Sequence, residues 1–192
     1  MKLVLATQNP KKLKEMNEIL SHLGVEVVSE AELGVRIEVE ETGDTFTDNA
    51  RLKATAVMQA TGLPAVADDS GLCVDALNGG PGVYSARFGG EGLDDKGRYT
   101  LLLEMLRGQT DRAAHFHTSI VCAFPNGDEL VCEGECPGTI AFAPMGEGGF
   151  GYDPVFFVPE LRKTFGQLTA EEKASVSHRG KALRAFAVAL DD

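Results

Sequence analysis

Two hydrophobic periods alternate along this chain. Near the N-terminus an apolar run through Leu3, Val4 and Leu5 gives way to Leu13, Met16, Ile19/Leu20 and Leu23, which recur every three to four residues. The spacing predicts a strand at Leu3–Thr7 and a helix at Lys11–His22. Val25–Ser29 reads as a second strand, Thr45–Thr61 as a second helix, Ala65–Ala67 as a short buried strand and about Asp94 to Leu106 as a third helix. From Met1 to about Gly108 the alternation of strand and helix is an α/β pattern. The second helix opens on Thr45-Phe46-Thr47-Asp48, spelled like a capping box, and carries Asn49 and Lys53 four apart on one face.

The character changes after Ala113. Phe116, Thr118, Ile120, Cys122 and Phe124 alternate with His117, Ser119, Val121 and Ala123, so paired strands are expected up to about Ile140, with Pro125-Asn126-Gly127-Asp128 as the turn into Glu129–Glu135. Thr169-Ala170-Glu171-Glu172 is another capping-box spelling, and the closing helix shows Leu183, Phe186/Ala187 and Leu190 at helical spacing. Two glycine-rich stretches, Asn78–Gly92 and Gly146–Gly151, are long enough to carry function. No internal repeat of 20–50 residues and no low-complexity tract is present.

Composition narrows the class. With 192 residues and 43% apolar content the chain suits one domain, or two lobes sharing a core. It has no run of about 18 apolar residues, and Met1-Lys2 leads straight into a strand instead of an export signal, so no membrane association and a cytoplasmic location are the expectation. A formal charge of −11 argues against a nucleic-acid polymer as partner, because such binding is driven by clustered Lys and Arg. It does not argue against a nucleotide, whose phosphates need only a local basic pocket and a cation held by carboxylates. Cys73, Cys122, Cys132 and Cys136 form no CxxC pair and read as buried free thiols.

Several polar groups stand where such chemistry would be placed. The turn Thr7-Gln8-Asn9-Pro10-Lys11-Lys12 joins a strand to a helix start, where free backbone N–H groups, the helix dipole and the lysines together favour a phosphate. Asp68 and Asp69 follow the apolar Ala65-Val66-Ala67 and precede Ser70, at the strand end where α/β sheets present ligands. Their side chains point to opposite faces, so only one can serve the site. Glu40 and Glu41 form a second acidic point ahead of the helix bearing Lys53. Phe150-Gly151-Tyr152-Asp153 combines aromatic rings, a close-approach glycine and a carboxylate able to accept from a ring N–H. Lys173, His178 and Arg179 are donors near the last helix, suited to a purine carbonyl. His115 and His117 lie two apart on one strand face, but no third ligand stands at useful spacing in the sequence, and a structural role is preferred.

Taken in order, the opening turn, Glu40–Phe46, Ala67–Leu72, Phe150–Pro154 and Ser177–Gly180 resemble the inosine triphosphate pyrophosphatase (Ham1/RdgB) family, from Leu3 to about Leu190. The resemblance implies a mixed α/β (α+β) fold: an elongated, two-lobed mixed sheet flanked by helices, forming one unit over residues 1–192 with the active-site groove between the lobes. It implies a homodimer acting on a purine nucleoside triphosphate. The implied reaction turns ITP, dITP or XTP into the monophosphate and pyrophosphate, clearing deaminated purines from the precursor pool. Asp69 becomes the general base and a metal ligand, with Asp68 in support, and Glu41 completes an oxygen-ligand pair for Mg²⁺ or more than one divalent ion. Thr7, Gln8, Asn9, Pro10, Lys11, Lys12, Lys53 and Ser70 fall to the phosphates, and Phe150, Gly151, Tyr152, Asp153, Lys173, His178 and Arg179 to the base. Lys11 stands where the family usually carries glycine, and is expected to point to solvent. The rivals are a Maf-type pyrimidine triphosphate pyrophosphatase and a nucleotide-binding regulator without turnover.

Overall fold

A computed structural model describes residues 1–192. Seven strands of its eight-stranded mixed sheet run in the order β2-β1-β3-β5-β6-β7-β8, and β4 pairs with β3 off this path. The chain divides into two compact units, residues 1–69, 118–134 and 181–192 in the first and 70–117 and 135–180 in the second. Strands β3 (Ala65–Val74), β5 (Ala113–Ala123) and β6 (Glu129–Ile140) contribute residues to both.

In the first unit β1 (Lys2–Leu5) lies parallel to both β2 (Glu26–Ser29) and β3, with Val4 opposite Ala65 and Leu5 opposite Val66. Parallel strands linked through helices are covered on both faces, so they read as unbroken apolar runs. Leu3 and Leu5 join a core with Met16 and Leu20 of helix α1 (Pro10–Leu20) and with Leu183 and Phe186 of the last helix, α5 (His178–Asp191). Val4 faces the other way, against Val28, Ala65 and Val57 of helix α2 (Phe46–Thr61). Each fully buried Leu or Val contributes roughly 1.5–3 kcal/mol, which is why these runs specify the sheet so firmly. The open edge of β2 is closed by a side chain: Asn17 of α1 donates to the Val27 carbonyl at 3.0 Å and accepts from the Val27 amide at 3.1 Å, as a neighbouring strand would.

In the second unit an aromatic cluster forms the centre. Phe116 lies 4.5 Å from Phe156 and 5.4 Å from Phe165 between ring centroids, among Leu102, Ile140 and Tyr152. Strand β6 pairs antiparallel with β7 (Phe156–Val158), which pairs antiparallel with β8 (Lys163–Thr164). Helices α3 (Asp95–Met105) and α4 (Ala170–Val176) complete it, the latter with the full capping box read from Thr169 and Glu172.

Sequence and structure differ in three places. Strand β3 runs ten residues where three were expected, because the polar stretch Asp68-Asp69-Ser70 stays extended between two buried segments. The stretch Asn78–Gly92 is no plain loop: it holds β4 (Gly80–Pro81) and a 3-10 helix over Gly82–Arg87. Strand β5 also breaks the expected alternation, since from Thr118 onward both faces are buried, Ile120 and Cys122 in one cluster and Val121 and Ala123 in another.

Candidate active site

The first group of polar residues, Ser70 apart, belongs to the first unit. At the turn after β1, Asn9 caps α1: its side-chain oxygen accepts from the Lys11 amide at 3.0 Å, and its own amide donates to the Thr7 hydroxyl at 3.2 Å. Pro10 occupies the first helical turn, where a missing N–H costs nothing. The first turn carries no acidic side chain, so its positive end is left for an anion. Lys11 and Gln8 are exposed, whereas Lys12 reaches inward and pairs with Asp68 at 3.1 Å.

The two aspartates separate as strand geometry requires. Asp68 is buried and held by Lys12. Asp69 is half-buried, and its Oδ2 accepts from Nδ2 of Asn49 at 3.2 Å. Asn49 is itself buried and positioned from behind, its Oδ1 accepting from the Gly43 amide at 2.8 Å. Lys53, one helical turn on, donates to the Asp68 carbonyl at 2.6 Å and pairs with Glu41 at 3.0 Å. The Asn49–Lys53 spacing legible in the sequence thus brings an amide and an ammonium group to consecutive residues of β3. Burial pushes the Asp69 carboxyl up to about 6, with the Glu41 and Asp68 charges adding to it and Lys53 and Asn49 working against it. Beside Lys53 and Gln8 opens a cavity of about 240 Å³, also lined by Glu30, Ile37, Val39 and Val57. That is smaller than the space a whole drug-sized ligand fills. Ser70 is exposed next to Asp69, and Glu40 is exposed next to Glu41.

The second group belongs to the second unit. Asp153 is buried, and its Oδ2 accepts from Lys173 at 2.6 Å and from the Phe150 amide at 3.1 Å. Its visible task is therefore to fold the loop and to hold Lys173. Gly149 has φ +74°, and a Cβ there would run into the Asp153 carboxylate, so both conformation and space call for glycine. Burial raises the Asp153 carboxyl while Lys173 pulls it back. The two loop aromatics divide: Tyr152 is committed to the core, its hydroxyl donating to the Ser85 carbonyl at 2.7 Å, so its ring is not a stacking surface. Phe150 is 74% exposed, with the Lys173 ammonium 4.7 Å from its ring centroid. His178 stacks on Phe116 at 4.8 Å, and Arg179 is half-buried at the start of α5.

Three supporting residues were not legible as such. Asp95, in the first turn of α3, accepts from the Gly151 amide at 2.9 Å and ties the loop to a helix 56 residues earlier in the chain. Ser85 receives Tyr152, and Thr118 donates to the Asp69 carbonyl at 3.2 Å. All three act through partners remote in sequence, and no local pattern marks them.

Residues 3–189 match the Ham1 family, and the chain belongs to that family. It is 53% identical over 194 residues to the dITP/XTP pyrophosphatase of Thermus thermophilus, covering 100% of this chain and 93% of that one. It is 52% identical over 184 residues to the dITP/XTP pyrophosphatase of Exiguobacterium sp., covering 96% and 94% of the two chains. Among solved structures, the Staphylococcus aureus Ham1 protein superposes with a TM-score of 0.95 at 41% identity, covering 100% of this chain and 98% of the other. The mixed α/β architecture expected from the sequence is thus shared with solved Ham1 proteins.

Proposed function

We propose that this protein is a divalent-metal-dependent pyrophosphohydrolase that converts dITP, ITP and XTP into the monophosphates and pyrophosphate. The observation that carries the reading is Asp69, a half-buried carboxylate pushed up to about 6, held by Asn49 in the polar middle of β3 and ringed by Lys53, Glu41 and Asp68. A base whose pKa approaches the working pH combines availability with driving force for proton transfer. Relatives at 52–53% identity that are dITP/XTP pyrophosphatases support the same chemistry.

In this reading water adds across the α–β phosphoanhydride bond, its oxygen joining the nucleotide phosphate while pyrophosphate leaves. Asp69 takes the proton of that water, and Asn49 holds the carboxylate in place. Lys12, Lys53, Thr7, Asn9 and the N-terminus of α1 receive the phosphate oxygens, with Gln8 and Ser70 beside them. Lys12 and Lys53 rest on Asp68 and Glu41, so they are positioned before substrate arrives. Glu41 and Asp69 are hard oxygen donors of the kind Mg²⁺ takes, and their crowding, which raises Asp69, is what a dication relieves. When bound there, Mg²⁺ would offset phosphate charge.

The base is assigned to the second group. Phe150 offers a stacking face, the Gly151 loop backbone approaches the base edge, and Lys173 and Arg179 supply donors to a 6-carbonyl. Tyr152, Asp153 and His178 hold those groups from within the fold. A cytoplasmic location and a homodimer complete the proposal. The test is a panel of nucleoside triphosphates with Mg²⁺, followed for pyrophosphate against orthophosphate. Pyrophosphate from ITP and XTP, well above that from ATP and CTP, is expected. Orthophosphate as the product, preference for a pyrimidine, or binding without turnover would each overturn it.

A further inference from the structure

His115 and His117 project from one face of β5, since residues two apart on a strand share a side. Strand β6 lies next to β5, and it brings Glu135 against both. Nδ1 of His117 is 2.9 Å from Oε1 of Glu135, and Nε2 of His115 is 3.9 Å from the same oxygen. One ligand atom from each of the three lies within 4.8 Å of the other two. The third ligand that the local sequence withheld is thus supplied across the sheet, 18 residues on.

We propose that His115, His117 and Glu135 bind a divalent transition metal of the zinc type, at a site that uses neither Glu41 nor Asp69. Two imidazoles and a carboxylate are the donor set that suits zinc, whereas Mg²⁺ prefers oxygen alone. Tetrahedral coordination with bonds of about 2.0–2.1 Å places ligand atoms roughly 3.3 Å apart, so the observed spacings need only small rotamer adjustments. The side chains are 33%, 16% and 57% exposed, which leaves an entry path and a fourth position for water. A metal at this point links β5 to β6 and would stiffen the sheet where the second unit begins.

The site is tested in full-length, metal-stripped protein titrated calorimetrically with Zn²⁺ in an Asp69→Asn background, which disables the Glu41/Asp69 pair. One Zn²⁺ per chain is expected, with binding weakened at least about 100-fold by His115→Ala or Glu135→Gln, since even outer groups of such sites cost 10–100-fold. Zn²⁺ should also raise Tm in that background and leave the Tm of the His115→Ala/Glu135→Gln combination unmoved. Both positions are partly exposed, so the variants are expected to fold, and far-ultraviolet circular dichroism checks that. Absence of Zn²⁺ uptake in the parent background, or unchanged affinity in the combined variant, would overturn the proposal.

Discussion

The phosphate-side residues and the base-side residues are built on opposite plans. The first set sits on regular elements: a strand end, a capped helix start and one helix face carrying Asn49 and Lys53. Its charges are compensated internally, Lys12 by Asp68 and Lys53 by Glu41, while one carboxylate is left at an unfavourable pKa. The second set joins a loop with positive-φ glycines to residues of α4 and α5, and a single buried carboxylate, Asp153, holds both the loop amide and the lysine of α4. Under the proposed function, chemistry common to every triphosphate is placed on regular elements, and recognition of one base on a loop and the helix residues beside it. Both sets are held in place beforehand, but only the first keeps a carboxylate pushed up to about 6.

The largest effect expected is at Asp69. Asp69→Asn should lower kcat by ~10²–10⁴-fold at neutral pH, because the amide neither accepts the proton nor binds a cation as a charged ligand. In the parent, kcat/KM should fall as pH drops through about 6, where Asp69 becomes protonated. The sign on stability is opposite. A carboxyl raised in the folded state binds its proton more tightly there than when unfolded, so its stabilising contribution is complete below the unfolded value near 4 and is lost as pH rises through about 6. In chelator at pH 7, Asp69→Asn should therefore raise stability by on the order of 1 kcal/mol. Thermal melts at pH 4.5 and 7 check this, and a variant that is slower yet less stable would break the contrast drawn between the two sets.

Next in size is the loop. Gly149→Ala forces a side chain into positive φ and onto the Asp153 carboxylate, so kcat/KM for ITP should drop by about 10-fold or more. Pyrophosphate release per productively bound substrate should survive better, because the phosphate side is untouched. A kcat/KM within twofold of the parent would show that the loop does not touch the base. Arg179→Ala isolates the donor itself. A donor facing the adenine amino group leaves both unpaired, at roughly 1–3 kcal/mol, so removing it should shrink the ITP/ATP preference by about 10-fold. An unchanged ratio removes Arg179 from base recognition.

The smallest effect is expected at Lys11. Its side chain is exposed and its amide already serves the Asn9 cap, so Lys11→Gly should leave KM within about twofold. A large rise in KM would show that this lysine grips phosphate and that the turn works differently from the one described.

How much of this was legible depended on how local the cause was. Helix α1, the α2 cap at Thr45 and the capping box of α4 follow from residues within four positions of one another, and the limits of α1 and α2 fell within about two residues of expectation. Asp68 and Asp69 were legible as a divided pair because strand geometry alone sends their side chains apart. The length of β3, the buried second face of β5 and the helical content of Asn78–Gly92 were not, since each depends on which elements pack alongside.

The sequence by itself determined the α/β pattern, the capped helix starts and the ordered motifs, because these rest on backbone periodicity and short-range hydrogen bonds. Only the tertiary structure decided which polar residues have a partner. It set Asn49 against Asp69, gave Asp153 to Lys173 and the Phe150 amide, sent Tyr152 inward while leaving Phe150 outside, and joined Glu135 to two histidines on another strand. Burial and charge proximity are properties of three-dimensional neighbours, and chain spacing does not carry them. For that reason the carboxylate with the most perturbed chemistry could be located in the sequence but its pKa could not.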